Sequence, residues 1–217
     1  TYTKHQTDTQ QNNQHSDEHT DIKRSEVSSA ISVPFNFPSW CLNSYSIKAF
    51  NTLYFNKHRS FSQGQSSQNY ASYFYPLDGL RDWNRIYGRR GFYQYQYVVP
   101  SDNLAASSEI LKRIVQSGQG SFLAVLKEFG SIESPGMMSF PKPGLCLALD
   151  FPNNGASTLK LLDELDHIVM AANGSVYPAK DNRMSADAFK QYYPQAGEFL
   201  DFIDPGFNSD FWRRVSA

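Results

Sequence analysis

Polar side chains able to bind or steer a reacting group are scattered at the ends and on the faces of expected strands: Asn84, Arg85, Gln94, Gln96, Lys127, Tyr177, Lys180 and Asp181. The sharpest signal among them is a pair of amides. From Phe92 to Val99 the chain alternates strictly, so Phe92, Gln94, Gln96 and Val98 share one face of a strand and Tyr93, Tyr95, Tyr97 and Val99 share the other. A buried amide without a partner costs roughly 1–3 kcal/mol. The Gln94/Gln96 face is therefore expected to look at something polar: a ligand, a cofactor or another domain. Each residue also has a structural alternative. The two glutamines can bond a neighbouring edge strand, Lys127 can be an ordinary surface lysine, Lys180 can pair locally with Asp181, and Arg85 can pair with Asp78. Cys146, inside an apolar run, fits a small core residue. The Tyr93/Tyr95/Tyr97 row fits a packed sheet face better than a base-stacking platform.

These residues need a scaffold, and the pattern supplies one. Strands are expected over 70–75, 91–99, 122–129, 137–140 and 145–151, with an extended piece at 176–181. Helices are expected over 45–57 (Ile47, Phe50, Leu53 and Tyr54 inward), 103–117 (Leu104, Ile110, Leu111 and Ile114 inward) and 156–172 (Leu161, Leu162, Leu165, Ile168 and Val169 inward). The second opens at Ser101-Asp102 and stops at Gly118, and Gly174 follows the third. Ser185 caps a helix to about 192, a helical piece covers 195–202, and Ser209 caps a last short helix. The order implies an α+β fold, a mainly antiparallel sheet with helices packed on one face.

The chain has 217 residues, 40% of them hydrophobic, with 16 Phe and 13 Tyr, enough for one sizeable core. Residues 1–30 are almost wholly polar and charged, so they are expected to be a disordered segment ahead of a domain over 31–217. His5, His15 and His19 in that segment lack a sustained spacing, and no metal site is expected. A formal net charge of −1 with no basic stripe gives nucleic acid no electrostatic purchase. No apolar run reaches the length of a membrane span. Two distant cysteines, Cys41 and Cys146, fit reduced thiols and a cytoplasmic setting. The opening residues form no secretory leader, and a start at Thr1 fits a fragment or processed product. There is no G-x-G-x-x-G turn, P-loop, C-x-x-C pair or G-x-S-x-G elbow. Alone, the chain is a poor candidate for a complete enzyme.

Several blocks carry a resemblance. Tyr75-Pro76-Leu77-Asp78, Asp82-Trp83-Asn84-Arg85, Tyr87-Gly88 and Gly91-Phe92 lead into Gln94-Tyr95-Gln96. Ser139-Phe140-Pro141, Pro143-Gly144 and Leu149-Asp150-Phe151-Pro152 follow. Then come Tyr177, Ala179-Lys180-Asp181 and Arg183, Tyr193-Pro194, Asp204-Pro205, Ser209-Asp210 and Arg213-Arg214. In order and spacing these resemble the substrate (cap) domain of FAD-dependent oxidoreductases of the vanillyl-alcohol-oxidase type, from about Val33 to the end. The resemblance implies that the FAD-binding domain would precede Thr1, with this sheet covering the flavin and lining the substrate pocket. It implies oxidation of an alcohol carbon of a sugar or polyol-like substrate by hydride transfer to flavin N5. Lys180 would then stabilise the charge gained by the reduced ring, with Gln94 and Trp83 also on the cofactor. Tyr177 would act beside Lys180, and Gln96, Lys127, Asn84, Arg85 and Cys146 would line the substrate side. A short-chain reductase partner is a further implication. Two positions depart from the family: Ala148 replaces a pocket cysteine, leaving Cys146 two residues earlier on the same face, and Phe74-Tyr75 replaces Tyr-His. A non-enzymatic binding module with the same fold is the alternative.

Overall fold

A computed structural model describes residues 31–41, 43–59, 74, 79–121, 123–180 and 183–216. Expectations for 1–30, for most of the 70–75 strand, for Asp78 and for Asp181 lie outside them. The structure is built on a four-stranded antiparallel sheet, ordered β4-β5-β3-β6. Its strands are β3 (Phe92–Val99), β4 (Ala124–Phe129), β5 (Gly144–Pro152) and β6 (Ser175–Val176). A separate parallel pair joins β1 (Ile31–Ser32) to β2 (Leu80–Arg81). The helices are α1 (Ser44–Arg59), α2 (Leu104–Ser117), α3 (Ala156–Ala171), α4 (Ala186–Tyr192), α5 (Ala196–Phe199) and α6 (Asp210–Val215). The expected α+β class is the observed one.

The alternation of β3 is realised in full. It pairs with β5 along its whole length, from Phe92 opposite Pro152 to Val99 opposite Leu145. Tyr95, Tyr97 and Val99 go under the helices with Leu147, Leu149 and Phe151 of β5. There they meet Ile110 and Ile114 of α2, Leu161, Leu162, Leu165 and Val169 of α3, Phe189 and Tyr192 of α4 and Val215 of α6. Each large side chain buried this way contributes about 1.5–3 kcal/mol relative to exposure. The local stop and start signals work as read. Gly118 takes a left-handed φ of 67° and its N–H donates to the Val115 carbonyl, closing α2. The Ser185 and Ser209 hydroxyls accept from the N–H groups of Ala188 and Trp212, opening α4 and α6.

Other expectations fail. Residues 137–140 are a turn, not a strand: Ser139 N–H donates to the Gly136 carbonyl. Pro141 and Pro143 remove amides that a ladder would need, and Phe140 tucks inward at 4% exposure. Leu104 and Leu111 of α2 are exposed, and the buried stripe runs instead through Ala106, Ser107, Ile110 and Ile114. Residue 103, not the Ser101-Asp102 pair, is the N-cap, because a 3-10 turn over Ser101–Asn103 comes first. Of the four residues expected inward in α1, Phe50, Leu53 and Tyr54 are exposed and Ile47 is partly covered, near Gly120. Beyond Val176 the chain is not extended: Pro178–Lys180 forms a 3-10 turn.

The segment before α1 is stapled to the 3-10 turn Trp83–Tyr87. Phe37 N–H donates to the Arg85 carbonyl, and Arg85 Nη1 donates to the carbonyls of Val33 (2.9 Å) and Pro34 (3.4 Å). Gly88, with φ of 67°, closes that turn, and a Cβ there would lie 2.5 Å from the Phe37 carbonyl oxygen.

Candidate functional site

On the sheet face away from the helices, register brings chain-distant polar residues together. Gln94 lies opposite Asp150, Gln96 opposite Ala148 and Val98 opposite Cys146. On the far side of β5, Lys127 lies opposite Cys146 and Val125 opposite Ala148. At the other edge Tyr177 N–H donates to the Gln96 carbonyl (2.8 Å), and the 3-10 turn that follows carries Lys180 back towards β3. Its ammonium donates to Gln94 Oε1 at 2.9 Å. The result is a polar band: Lys180, Gln94, Asp150, Gln96, Cys146 and Lys127.

Two aromatic clusters bracket the band. At one end the Tyr87 and Phe92 rings stack at 4.5 Å, with Trp83 5.2 Å from Phe92. At the other, Phe140 sits 4.8 Å from Tyr177 and 6.1 Å from Phe129. This second cluster includes Val98 and Cys146. The middle of the face is consequently closed rather than open to solvent. Cys146 is fully buried and Gln96 nearly so, and the Gln96 Nε2 donates to Cys146 Sγ at 3.4 Å. The rims stay accessible: Lys180 and Lys127 are exposed, and Gln94, Tyr177 and Trp83 half-buried.

Two charged or ionisable groups on this face were not among the residues singled out from sequence: Asp150 and Tyr87. Asp150 is 2% exposed. Burial pushes its carboxyl up, against the pull of a hydrogen bond from the Gln94 side chain, the nearby Lys180 charge and a hydrogen bond from Tyr87. The Tyr87 hydroxyl donates to Asp150 Oδ2 at 3.5 Å, and burial and then the Asp150 charge raise the phenol. Burial likewise raises the Cys146 thiol, opposed by Gln96 and the Lys127 charge. The available signal was an acidic residue at an inward position of an otherwise apolar strand, since a buried carboxylate in a cleft is a candidate functional group.

Of the residues singled out, Gln94, Gln96, Lys127, Cys146, Tyr177 and Lys180 converge on one face, and Trp83 walls its end through Phe92. Arg85 is instead engaged with the Val33–Pro34 backbone and, at 3.6 Å, with Asp82. Asn84 is exposed on the same turn. Cys41 and Cys146 are both free thiols. Among the described residues no group of three or more His, Cys, Asp or Glu is placed to hold a metal ion, and no helix is long and apolar enough to cross a membrane. What the band offers chemically is a cation at an open edge, amides of fixed polarity and a dry, aromatic-flanked centre, a set suited to an anionic or hydroxyl-rich partner.

The fold is that of an α+β domain with one helix-covered and one polar sheet face. Over 191 residues, 85% of its own length, the chain is 35% identical to the decaprenylphosphoryl-beta-D-ribose oxidase of Mycolicibacterium smegmatis. Over 111 residues, 49% of its length, it is 36% identical to an uncharacterized protein of Streptomyces coelicolor. It covers 40% of the first protein and 30% of the second, so it spans less than half the length of either. No protein-family model matches the chain. The resemblance read from the motifs thus extends across most of the chain as measured identity to an oxidase.

Proposed function

We propose that this chain is the substrate (cap) domain of an FAD-dependent oxidoreductase that oxidises an alcohol carbon of a sugar or polyol-like substrate. The observation that carries the reading is the polar band on the uncovered sheet face, with Lys180 held beside Gln94 at its open edge. The residues fit a flavin: the Lys180 ammonium at the rim suits the electron-rich pyrimidine end of the ring, and the flanking aromatics suit its apolar faces. Bound flavin supplies the hydride acceptor. The chain's own residues do the rest. Lys180 offers its ammonium to negative charge gained on the acceptor side. Tyr177 and Lys127 present a hydroxyl and an ammonium to substrate hydroxyls. Gln96 and Cys146 keep the centre dry and shaped, and Trp83 closes one end. Similarity to a decaprenylphosphoryl-beta-D-ribose oxidase supports the substrate class.

In this reading a flavin-binding domain of the same protein covers the polar face. The relative's greater length supports it. Two free thiols support a cytoplasmic setting, and a reductase partner would take up the oxidised product. The test is to purify the full-length protein, record its absorbance and screen glycosyl-phosphates and polyols for anaerobic bleaching of the flavin. Bleaching by one of them is the expected result, and full-length protein that binds no flavin overturns the proposal.

A further inference from the structure

The residue with the least evident purpose is Asp150. A carboxylate at 2% exposure in the middle of an apolar strand contributes nothing to the helix-side core, because it projects from the other face. Its surroundings are specific. Gln94 lies directly across from it in register on the same sheet face, Tyr87 approaches at 3.5 Å, and the Lys180 ammonium donates to Oε1 of the same Gln94 amide. An ammonium only donates and a carboxylate only accepts. One orientation of the Gln94 amide satisfies both, with Oε1 towards Lys180 and Nε2 towards Asp150; the flipped amide sets donor against donor and oxygen against oxygen.

We propose that Asp150 is a positioning residue: it fixes the polarity of the Gln94 amide and through it holds the Lys180 ammonium at the rim of the polar face. This rests on the flavin reading above for its catalytic consequence, though not for its geometry. Tyr87 completes the arrangement from the 3-10 turn, where its hydroxyl donates to the carboxylate and caps the buried end. An oxygen acceptor aimed at Lys180 is thereby built from two strands before any ligand arrives, so less ordering is required when one binds. Asp150 touches neither substrate nor cofactor in this scheme.

The test uses two variants of the full-length protein, Asp150→Leu and Gln94→Leu. The readout independent of catalysis is the acetylation rate of Lys180, followed by mass spectrometry with Lys112 on α2 as the internal reference. Release of the ammonium from its fixed acceptor raises Lys180 labelling at least twofold in both variants while Lys112 is unchanged. In flavin-loaded protein the same variants slow flavin reduction at least tenfold, move KM less than threefold and lower the flavin midpoint potential. Wild-type Lys180 labelling in Asp150→Leu overturns the proposal. Should that variant not fold, Gln94→Leu decides alone, and wild-type labelling there overturns it equally. Raised labelling in a full-length protein that binds no flavin would refute the flavin reading and leave the positioning geometry standing.

Discussion

The two faces of β3 are made from alternate residues of one eight-residue strand, yet they obey different physics. The Tyr95/Tyr97/Val99 face is covered by four helices and is held mainly by apolar packing, with the Tyr95 hydroxyl donating to Asp166 Oδ1 at its margin. The Gln94/Gln96 face is only partly covered, and its neighbours are specific. Each amide has a particular partner, Lys180 for Gln94, which faces Asp150 across the strands, and Cys146 for Gln96. Stability resides mainly on the first face, and positioned donors and charges reside on the second. Polar groups are thus concentrated on the face that the helices leave uncovered, which is the pattern expected of a binding surface.

Adjacent residues of β5 provide the strongest way to break this comparison. Phe151→Ala, on the covered face, should cost about 3–5 kcal/mol in denaturant unfolding of the full-length protein. A loss below about 1 kcal/mol would mean the helix-side core is not the main source of stability. On the polar face, Lys180→Ala should slow flavin reduction on the order of 100-fold, the usual size for removing one donor to developing charge. Its unfolding midpoint should stay near wild type, and unchanged reduction kinetics would remove Lys180 from the chemistry. Gly88→Ala should destabilise by at least about 1–2 kcal/mol, the cost of a left-handed non-glycine residue, with the Phe37 carbonyl contact adding to it. Equal stability of that variant would show that the turn relaxes freely.

A finer test uses pH. The folded-state value of Asp150 is raised, so over the window between the ordinary aspartate value and that raised value the folded chain holds a proton that the unfolded chain has lost. This contribution to stability is fully present below the ordinary aspartate value and is lost as pH rises through the raised one. Asp150→Asn should remove that part of the pH slope. An identical slope in the variant would show that Asp150 titrates normally. The smallest effect is expected at Val115→Ser on the solvent side of α2, where 78% exposure predicts a change within about 0.5 kcal/mol. A larger loss would mean that another part of the full-length protein covers that position.

Much of the scaffold was legible because its signals are local. Period-two alternation fixed β3 and the separation of Tyr from Gln, and Gly118, Ser185 and Ser209 marked helix ends because capping is decided within a few residues. The motif blocks were legible for the same reason: they are short runs whose order survives without any knowledge of the fold. The α2 stripe was half legible. Periodicity found Ile110 and Ile114, but it could not show that the buried stripe runs through Ala106 and Ser107 and leaves Leu104 and Leu111 exposed. The 137–140 strand failed because an apolar run says nothing about whether a neighbouring edge is free to pair.

The sequence by itself determined the class of fold, the division of β3 into two unlike faces and most of the polar residues on one of them. Only tertiary structure decided that Asp150 and Tyr87 join that face, that Phe140 folds over Cys146, and that Arg85 is taken up by the backbone of the Val33–Pro34 segment. The reason is physical. Alternation and capping are set by a residue's immediate neighbours. Partnership across 50 or more residues is set by strand register and by which loops fold back over the sheet, and one chain's pattern does not encode that choice locally.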